Sequence, residues 1–400
     1  MMEVQQAQAN ILASAHPCVN TETVELHLGL RRSLAAAIIS DTAVPPADNS
    51  AMDGYAIHSS SLAQLPVTLP VSQTIPAGAV AEPLAPGTAA RIFTGAEIPQ
   101  GADTVVIQEN ASTKADNTVC FTHSAIPGDN IRRRGQDIKP GKEVLAQGHR
   151  LKAADLGLLA SLGIAQIEVN QRLRVAIIST GDELVAPGKP LGRGQIYNSN
   201  HVMVQSLVRE HGADVSYLRH IADDRATSIS ALKEAASCSD VIISTGGVSV
   251  GDEDHIKSAV METGELNFWK VKVKPGKPIA FGHIQQNNKK TYFIGLPGNP
   301  VSAFVTFLLF ATPLLCALGN ESYRPPLHLK AKARFNLHTA RKRPEYVRAR
   351  IDENGVTLHP NQSSGVLSAV SWSNALVLLH EGQTVTEGDM VDALLYTANY

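Results

Sequence analysis

An apolar, β-branched run, Val241-Ile242-Ile243, empties into a loop with glycines at Gly246, Gly247 and Gly251, and three acids follow at Asp252, Glu253 and Asp254. The run has the composition of a buried parallel strand, and the segment Ile256 to Val260 beyond the acids has that of a helix. Glycines at such a junction let backbone N–H groups approach an anion closely, and adjacent carboxylates supply hard oxygen ligands for a divalent cation. Gly246, Gly247 and Ser249 are therefore candidate substrate contacts, and Asp254 a candidate site acid. A tight strand-to-helix turn with a solvated acidic cap accounts for the same residues without chemistry.

Other polar loops have comparable equipment. Ser179-Thr180-Gly181-Asp182-Glu183 follows a strand at Leu173 to Ile178, and Leu296-Pro297-Gly298-Asn299-Pro300 precedes an apolar helix. The strand Phe268 to Lys274 alternates, which puts Lys270, Lys272 and Lys274 on one face, a placement suited to an anion. Arg132-Arg133-Arg134 gathers guanidinium groups that match phosphate or another oxyanion, or else forms a solvated basic loop. Asp53 in an Asp-Gly turn and Thr94 beside Gly95 are weaker signals, each sufficient for a turn alone. No GxSxG, HExxH, Walker or GxGxxG pattern is present, so hydrolase triads, zinc peptidases and P-loop kinases are disfavoured. Acids and cations together point to a polyanionic substrate with Mg²⁺, handled by positioning and charge stabilisation.

The elements that must hold these loops form several domains, because 400 residues exceed what one core usually covers. From about Arg172 to Leu318, strands and helices alternate as in a doubly wound, mostly parallel α/β domain, whose ligands bind at the carboxyl ends of the strands. Helices are expected near Ser199 to His211 and Ala226 to Ser237. The segment 48–136 is rich in Pro, Gly, Val and Thr and suits a β-rich domain; past Pro325-Pro326 the tail alternates like a small barrel or sandwich. Gln5 to Ala15 and Leu30 to Ile39 look helical. The run Ala303 to Leu318 is interrupted by Pro313 and falls short of a membrane span, so it is expected to be a core helix.

The net charge of −2 and 5% aromatic content provide neither a global field nor stacking platforms for nucleic acid, and no membrane role is expected. Cys18, Cys120, Cys238 and Cys316 lie far apart, without a CxxC pair or a His at zinc spacing. Reduced thiols and a start unlike a signal peptide point to the cytoplasm.

Taken in order, the blocks Asp48 to Ala56, Arg91 to Gly95, Arg132 to Asp137, Ser179 to Leu184, Ser244 to Asp254, Lys274 to Pro278 and Leu296 to Ser302 resemble those of the MoeA family of molybdopterin molybdenumtransferases, itself similar to the E domain of gephyrin. The resemblance implies that adenylylated molybdopterin and molybdate, with Mg²⁺, give molybdenum cofactor and AMP. It also implies an elongated homodimer whose cleft pairs Asp53 and Thr94 of one chain with Glu183 and Asp254 of the other. By motif position Asp53, Thr94, Asp137, Glu183 and Asp254 look catalytic. Glu183, Asp223 and Asp254 look like metal ligands. Lys270, Lys274, Pro297, Pro300, Arg348 and Ser364 look like substrate contacts. The family's four-domain plan implies a linking domain of 1–20, 40–47 and 137–167, a β-rich domain of 48–136, a MogA-like α/β domain of 21–39 and 168–322, and a C-terminal barrel-like domain of 323–400.

Partners implied are the molybdopterin adenylyltransferase and molybdoenzyme apoproteins or chaperones. Gln136 and Asn198 depart from the acids that many members carry. An adenylyltransferase-like activity, a tungstate-selective paralogue and a peptide-binding scaffold remain alternatives.

Overall fold

A computed structural model describes residues 1–247, 255–276 and 278–396, with 268–270 and 278 described in backbone only. The α/β domain is built on a six-stranded sheet in the order Asp214–Ile221, Arg174–Thr180, Val241–Thr245, Lys289–Leu296, Pro278–Gln286, Gly264–Lys270. The first four strands run parallel, the fifth runs against them, and the sixth, antiparallel to the fifth, runs with the first four. Alternation explains why the central strands are apolar throughout. Ile177, Ile243 and Ile294 lie in register and face one helical layer, and Ala176, Ile242 and Phe293 face the other. All six are buried, and each large one stabilises by about 1.5–3 kcal/mol.

The helices Ser199–His211 and Arg225–Cys238 fall within a residue of expectation. The apolar helix is longer than its run suggests. It extends from Pro300 to Leu318, long and apolar enough to cross a membrane, but most of it is buried in the protein core. Pro313 does not break it, because a π-helical turn at Phe307–Ala311 precedes the proline and absorbs the missing N–H and the ring clash.

Two expectations about the N-terminal segment are corrected. The helix Val4–Ser14 packs on the apolar helix rather than in the linking domain: Ala7 and Ile11 join the α/β core, and Gln8 Nε2 donates to Leu309 O at 2.8 Å. The stretch Leu30 to Ile39 is not helical, and 21–39 does not belong to the α/β domain. Thr21–Glu25 pairs with Gln166–Asn170, and the Leu34 and Ala35 amides donate to His149 O and Glu168 O. Their backbone groups are satisfied across the linking domain, which leaves none for an i→i−4 ladder. The linking core gathers Leu34, Leu145, Leu151, Leu159, Ile167 and Val169.

The β-rich domain holds a six-stranded sheet in the order Thr104–Ile107, Gly54–Ile57, Ala89–Ile92, Val67–Ile75, Thr118–Phe121, Ala111–Thr113. The C-terminal domain is a five-stranded sheet from Leu327 to Leu395. Its Tyr346, Val370, Leu376 and Leu394 continue the core of the α/β domain, which fixes the cleft between the two.

Candidate functional site

At the carboxyl ends of the parallel strands, the α/β and C-terminal domains enclose a cavity of about 880 Å³. Gly246 and Gly247 line one wall and Gly298 and Asn299 another. Their residue types follow from space as well as from conformation. Gly246 has φ +89°, and a Cβ there would lie 2.9 Å from Thr180 O; Gly247 has φ +63° and would meet Ile256 at 3.0 Å. A larger residue would press on backbone at Gly246 and on the Ile256 side chain at Gly247, and both positions have a φ that favours glycine. Asn200 Nδ2 donates to Gly298 O at 2.5 Å and holds the Pro297–Pro300 loop to the helix Ser199–His211, while Pro300 opens the apolar helix. Ser244 Oγ and Thr245 Oγ1, at the end of the central strand, are buried without a partner among the described residues. Unpaired hydroxyls beside glycine turns suit an oxyanion ligand.

The opposite wall is cationic. Lys274, Arg341 and Arg343 line it, and Glu345, only 2% exposed, sits beneath them. Lys274 Nζ lies 2.9 Å from Glu345 Oε1. Arg341 Nε lies 3.0 Å from Glu345 Oε2, an ion pair whose angle falls outside hydrogen-bond geometry. Two cations on one buried carboxylate leave a net positive charge facing the cavity. Of the lysines expected on one strand face, Lys272 turns to Glu381 and Glu3 beyond the strand end at Lys270, and Lys274 lines the cavity. The Lys270 side chain, Ser249 and Asp254 lie outside the described residues.

Ser364 lines the cavity, and its carbonyl accepts from the Val301 N–H at 3.0 Å. Arg348 does not reach the surface. It is fully buried, donates to Tyr346 O and Ser363 O at 3.3 Å, and props the Ser363–Ser364 loop from behind; burial lowers its pKa. Arg341 and Arg343 were not expected as site residues, although the basic run Arg341-Lys342-Arg343 ahead of a buried acid was a visible signal.

Beside the cavity, two neighbouring strands end in acids. Asp182 Oδ1 accepts from the Asp223 N–H at 3.3 Å, and the exposed Glu183 folds back over Gly181. Asn198 is a buried N-cap: Oδ1 accepts from the His201 N–H at 3.1 Å and Nδ2 donates to Ser179 Oγ at 2.7 Å. Ser179 Oγ accepts in this bond; an aspartate here would take the hydroxyl proton instead, so the contact itself accommodates either residue.

In the β-rich domain the structure joins Asp53 to Thr94. Asp53 Oδ1 accepts from both the backbone N–H and the hydroxyl of Thr94 at 2.8 Å. These bonds, the backbone one foremost, lower the Asp53 pKa, and the nearby Arg91 adds to the shift. Since the folded pKa is depressed, the stabilising contribution is present above the ordinary carboxylate value of about 3.9 and is lost as pH falls through the lowered one. Thr94→Val keeps the N–H and removes the hydroxyl. It is expected to raise the Asp53 pKa part of the way back, measured by the pH dependence of the side-chain carboxyl carbon in NMR; no movement would remove the hydroxyl from the account.

Asp137 lies in an exposed turn fixed by its N–H to Val44 O at 3.0 Å, and Gln136 Oε1 accepts from the Arg133 N–H. The arginine cluster is not an open anion cradle. Arg133 pairs with Asp48 at 2.7 Å and Arg134 donates to Pro46 O, leaving the Arg132 side chain, alone of the three, without a hydrogen bond or ion pair among the described residues. Within one chain, no hydrogen bond or ion pair among the described residues connects the Asp53–Thr94 pair to the α/β domain.

The fold and cavity define a MoeA-type protein. Family models match in order: MoeA N-terminal region (domain I and II) over residues 2–163, a probable molybdopterin binding domain over 176–317, and MoeA C-terminal region (domain IV) over 330–396. The chain is 40% identical to the molybdopterin molybdenumtransferase of Haemophilus influenzae, covering 96% of this chain and 98% of that protein. It is 36% identical to that of Bacillus subtilis, over 94% and 90%. A crystal structure of the molybdopterin biosynthesis MoeA protein of Pyrococcus horikoshii superposes with TM-score 0.83 at 28% identity, covering 99% of this chain and all of that one. The chain belongs to the molybdopterin molybdenumtransferase family.

Proposed function

We propose that this protein is the transferase that inserts molybdate into adenylylated molybdopterin, releasing AMP and giving molybdenum cofactor. The observation that carries the reading is the cavity at the strand ends, where the glycine turns at Gly246, Gly247 and Gly298 and the serines Ser302, Ser363 and Ser364 line the same space as Lys274, Arg341 and Arg343. One wall offers backbone and hydroxyl donors, and the other offers positive charge; an anionic nucleotide-bearing substrate and a tetrahedral oxyanion need both. Glu345 orients Lys274 and Arg341, so their charges are fixed before substrate arrives.

Exposed carboxylate oxygens are the donors a hard, hydrated cation takes, so Glu183 and Asp223 suit Mg²⁺, and Asp254 is the third acid this reading calls on. Bound there, Mg²⁺ would neutralise phosphate charge. Asp53, held ionised and aimed by Thr94, belongs to this reading as the partner subunit's contribution to the cleft in a homodimer. The four cysteines, none of them paired in a disulfide, accord with a cytoplasmic site of action.

Incubation with adenylylated molybdopterin, molybdate and Mg²⁺ is expected to release AMP and yield active cofactor. No AMP release would defeat the reading, and pyrophosphate release from ATP would mark the adenylyltransferase instead. For the shared cleft, Asp53→Asn and Glu183→Gln are each expected to be inactive. Mixed subunits of the two would regain about a quarter of wild-type activity, since half the dimers carry one intact cleft of two. No recovery would place both residues in one chain's site.

A further inference from the structure

At the amino-terminal edge of the sheet, the end opposite the cavity, His211, Cys316 and Glu321 bring an imidazole nitrogen, a thiol sulfur and a carboxylate oxygen to within 4.8 Å of one another. Three separate local structures aim them there. His211 is the last residue of the helix Ser199–His211, Cys316 lies in the last turn of the apolar helix, and Glu321 is folded back by its N–H to Cys316 O at 2.8 Å. The side chains of His211 and Glu321 are 9% and 12% exposed, and Cys316 is 4% exposed. Among the described residues neither the His211 ring nor the Cys316 thiol makes a hydrogen bond. Buried polar groups left unpaired in this way need a reason.

From this convergence we infer a binding site for a zinc-like divalent cation, with His211, Cys316 and Glu321 as protein ligands. The Glu321 carboxylate divides its two oxygens. Oε1 lies 3.3 Å from Arg150 Nη1, while Oε2 faces His211 Nε2 at 3.8 Å, beyond hydrogen-bond reach. Two ligands bonded to one tetrahedral ion at about 2.0–2.3 Å lie roughly 3.3–3.7 Å apart, so a small closing movement suffices. A void of about 30 Å³ beside His211 and Glu321 has room for a water as the fourth ligand. Burial keeps the imidazole neutral, with its pKa near 3, and raises the thiol to about 12. The nitrogen lone pair is thus free, and the thiol passes its proton to solvent as the metal–sulfur bond forms. The Arg150 guanidinium opposes the ion's charge, which the thiolate and the Glu321 carboxylate together offset.

The test is titration of the full chain, freed of metal by chelator, with Co²⁺ as a spectroscopic stand-in for Zn²⁺. An intense near-ultraviolet thiolate-to-cobalt band is expected, saturating at equimolar metal, lost on adding Zn²⁺, and accompanied by proton release and a rise in Tm. Cys316→Ser is expected to abolish the band. Should that variant fail to fold, Glu321→Gln is expected to weaken Co²⁺ binding at least tenfold. Cys18→Ser and Asp223→Asn are expected to leave the band unchanged. Absence of the band in the wild-type chain, its persistence in Cys316→Ser, or unaltered affinity in Glu321→Gln would each overturn the assignment.

Discussion

Replacing Glu345 by alanine is expected to lower stability by about 2 kcal/mol and to reduce turnover by more than tenfold. The carboxylate is buried beneath the cavity and pairs with both Lys274 and Arg341. Removing one partner of a fully buried pair costs roughly 3–5 kcal/mol, but Lys274 is 47% exposed and Arg341 29%, so water recovers part of the loss. The activity loss has a separate cause. Without Glu345 the two cations repel one another and swing towards solvent, and the charge facing substrate is no longer fixed. Glu345→Gln keeps the shape and one acceptor, and is expected to recover more stability than turnover. Urea unfolding read beside AMP release separates the two effects. Equal, small losses in both would reduce Glu345 to a packing residue.

A comparable loss of turnover is expected from Gly246→Ala, by a different route. The φ of +89° costs an alanine about 1 kcal/mol, and its Cβ would stand 2.9 Å from the Thr180 carbonyl oxygen. That oxygen belongs to the end of the neighbouring strand, just ahead of Gly181, Asp182 and Glu183. Relief of the contact therefore shifts the glycine turn or the acidic loop, and each shapes the cleft. The expected result is at least a tenfold fall in kcat/KM with a decrease of a few degrees in Tm; positioning errors near 1 Å carry penalties of that order. Gly157→Ala, in the helix Ala153–Ser161 of the linking domain, is the control, because a Cβ there meets nothing within 4 Å and φ is unexceptional. Full activity in Gly246→Ala would show that the turn is only a connection between strand and helix.

Parts of the site were legible in the chain because local chemistry fixes them. The run Val241 to Ile243 is apolar at every position, which only a strand covered on both faces tolerates, and the sheet delivers that with Ile243 and Ile242 in opposite cores. Gly246, Gly247 and the Pro297–Pro300 loop punctuate strand ends, so their arrival at the carboxyl edge follows from the α/β pattern alone. The seven ordered blocks carried the family resemblance for a similar reason: each is a short stretch whose residue types and spacing can be read without knowing its distant neighbours.

What the chain did not disclose is set by partners distant in sequence. Helical periodicity in Val4 to Ser14 says that the segment is a helix, but the apolar helix Pro300–Leu318 decides where it docks. Leu30 to Ile39 has no local conflict with helix; the open amide partners at His149 and Glu168 draw it into extended pairing instead. Arg132 to Arg134 reads as an anion site until Asp48 and Pro46 claim two of the three guanidinium groups. Arg341 and Arg343 gain a role only when the C-terminal sheet closes over the strand ends, and His211, Cys316 and Glu321 meet only because two helices end side by side. Sequence by itself determined the family, the strand-end loops and the chemistry they offer, since these depend on residue type and short-range spacing. Tertiary structure alone decided which charges are spent internally and which face the cavity, because the energy of a charge depends on what stands within a few ångströms of it, and that neighbour is set by packing.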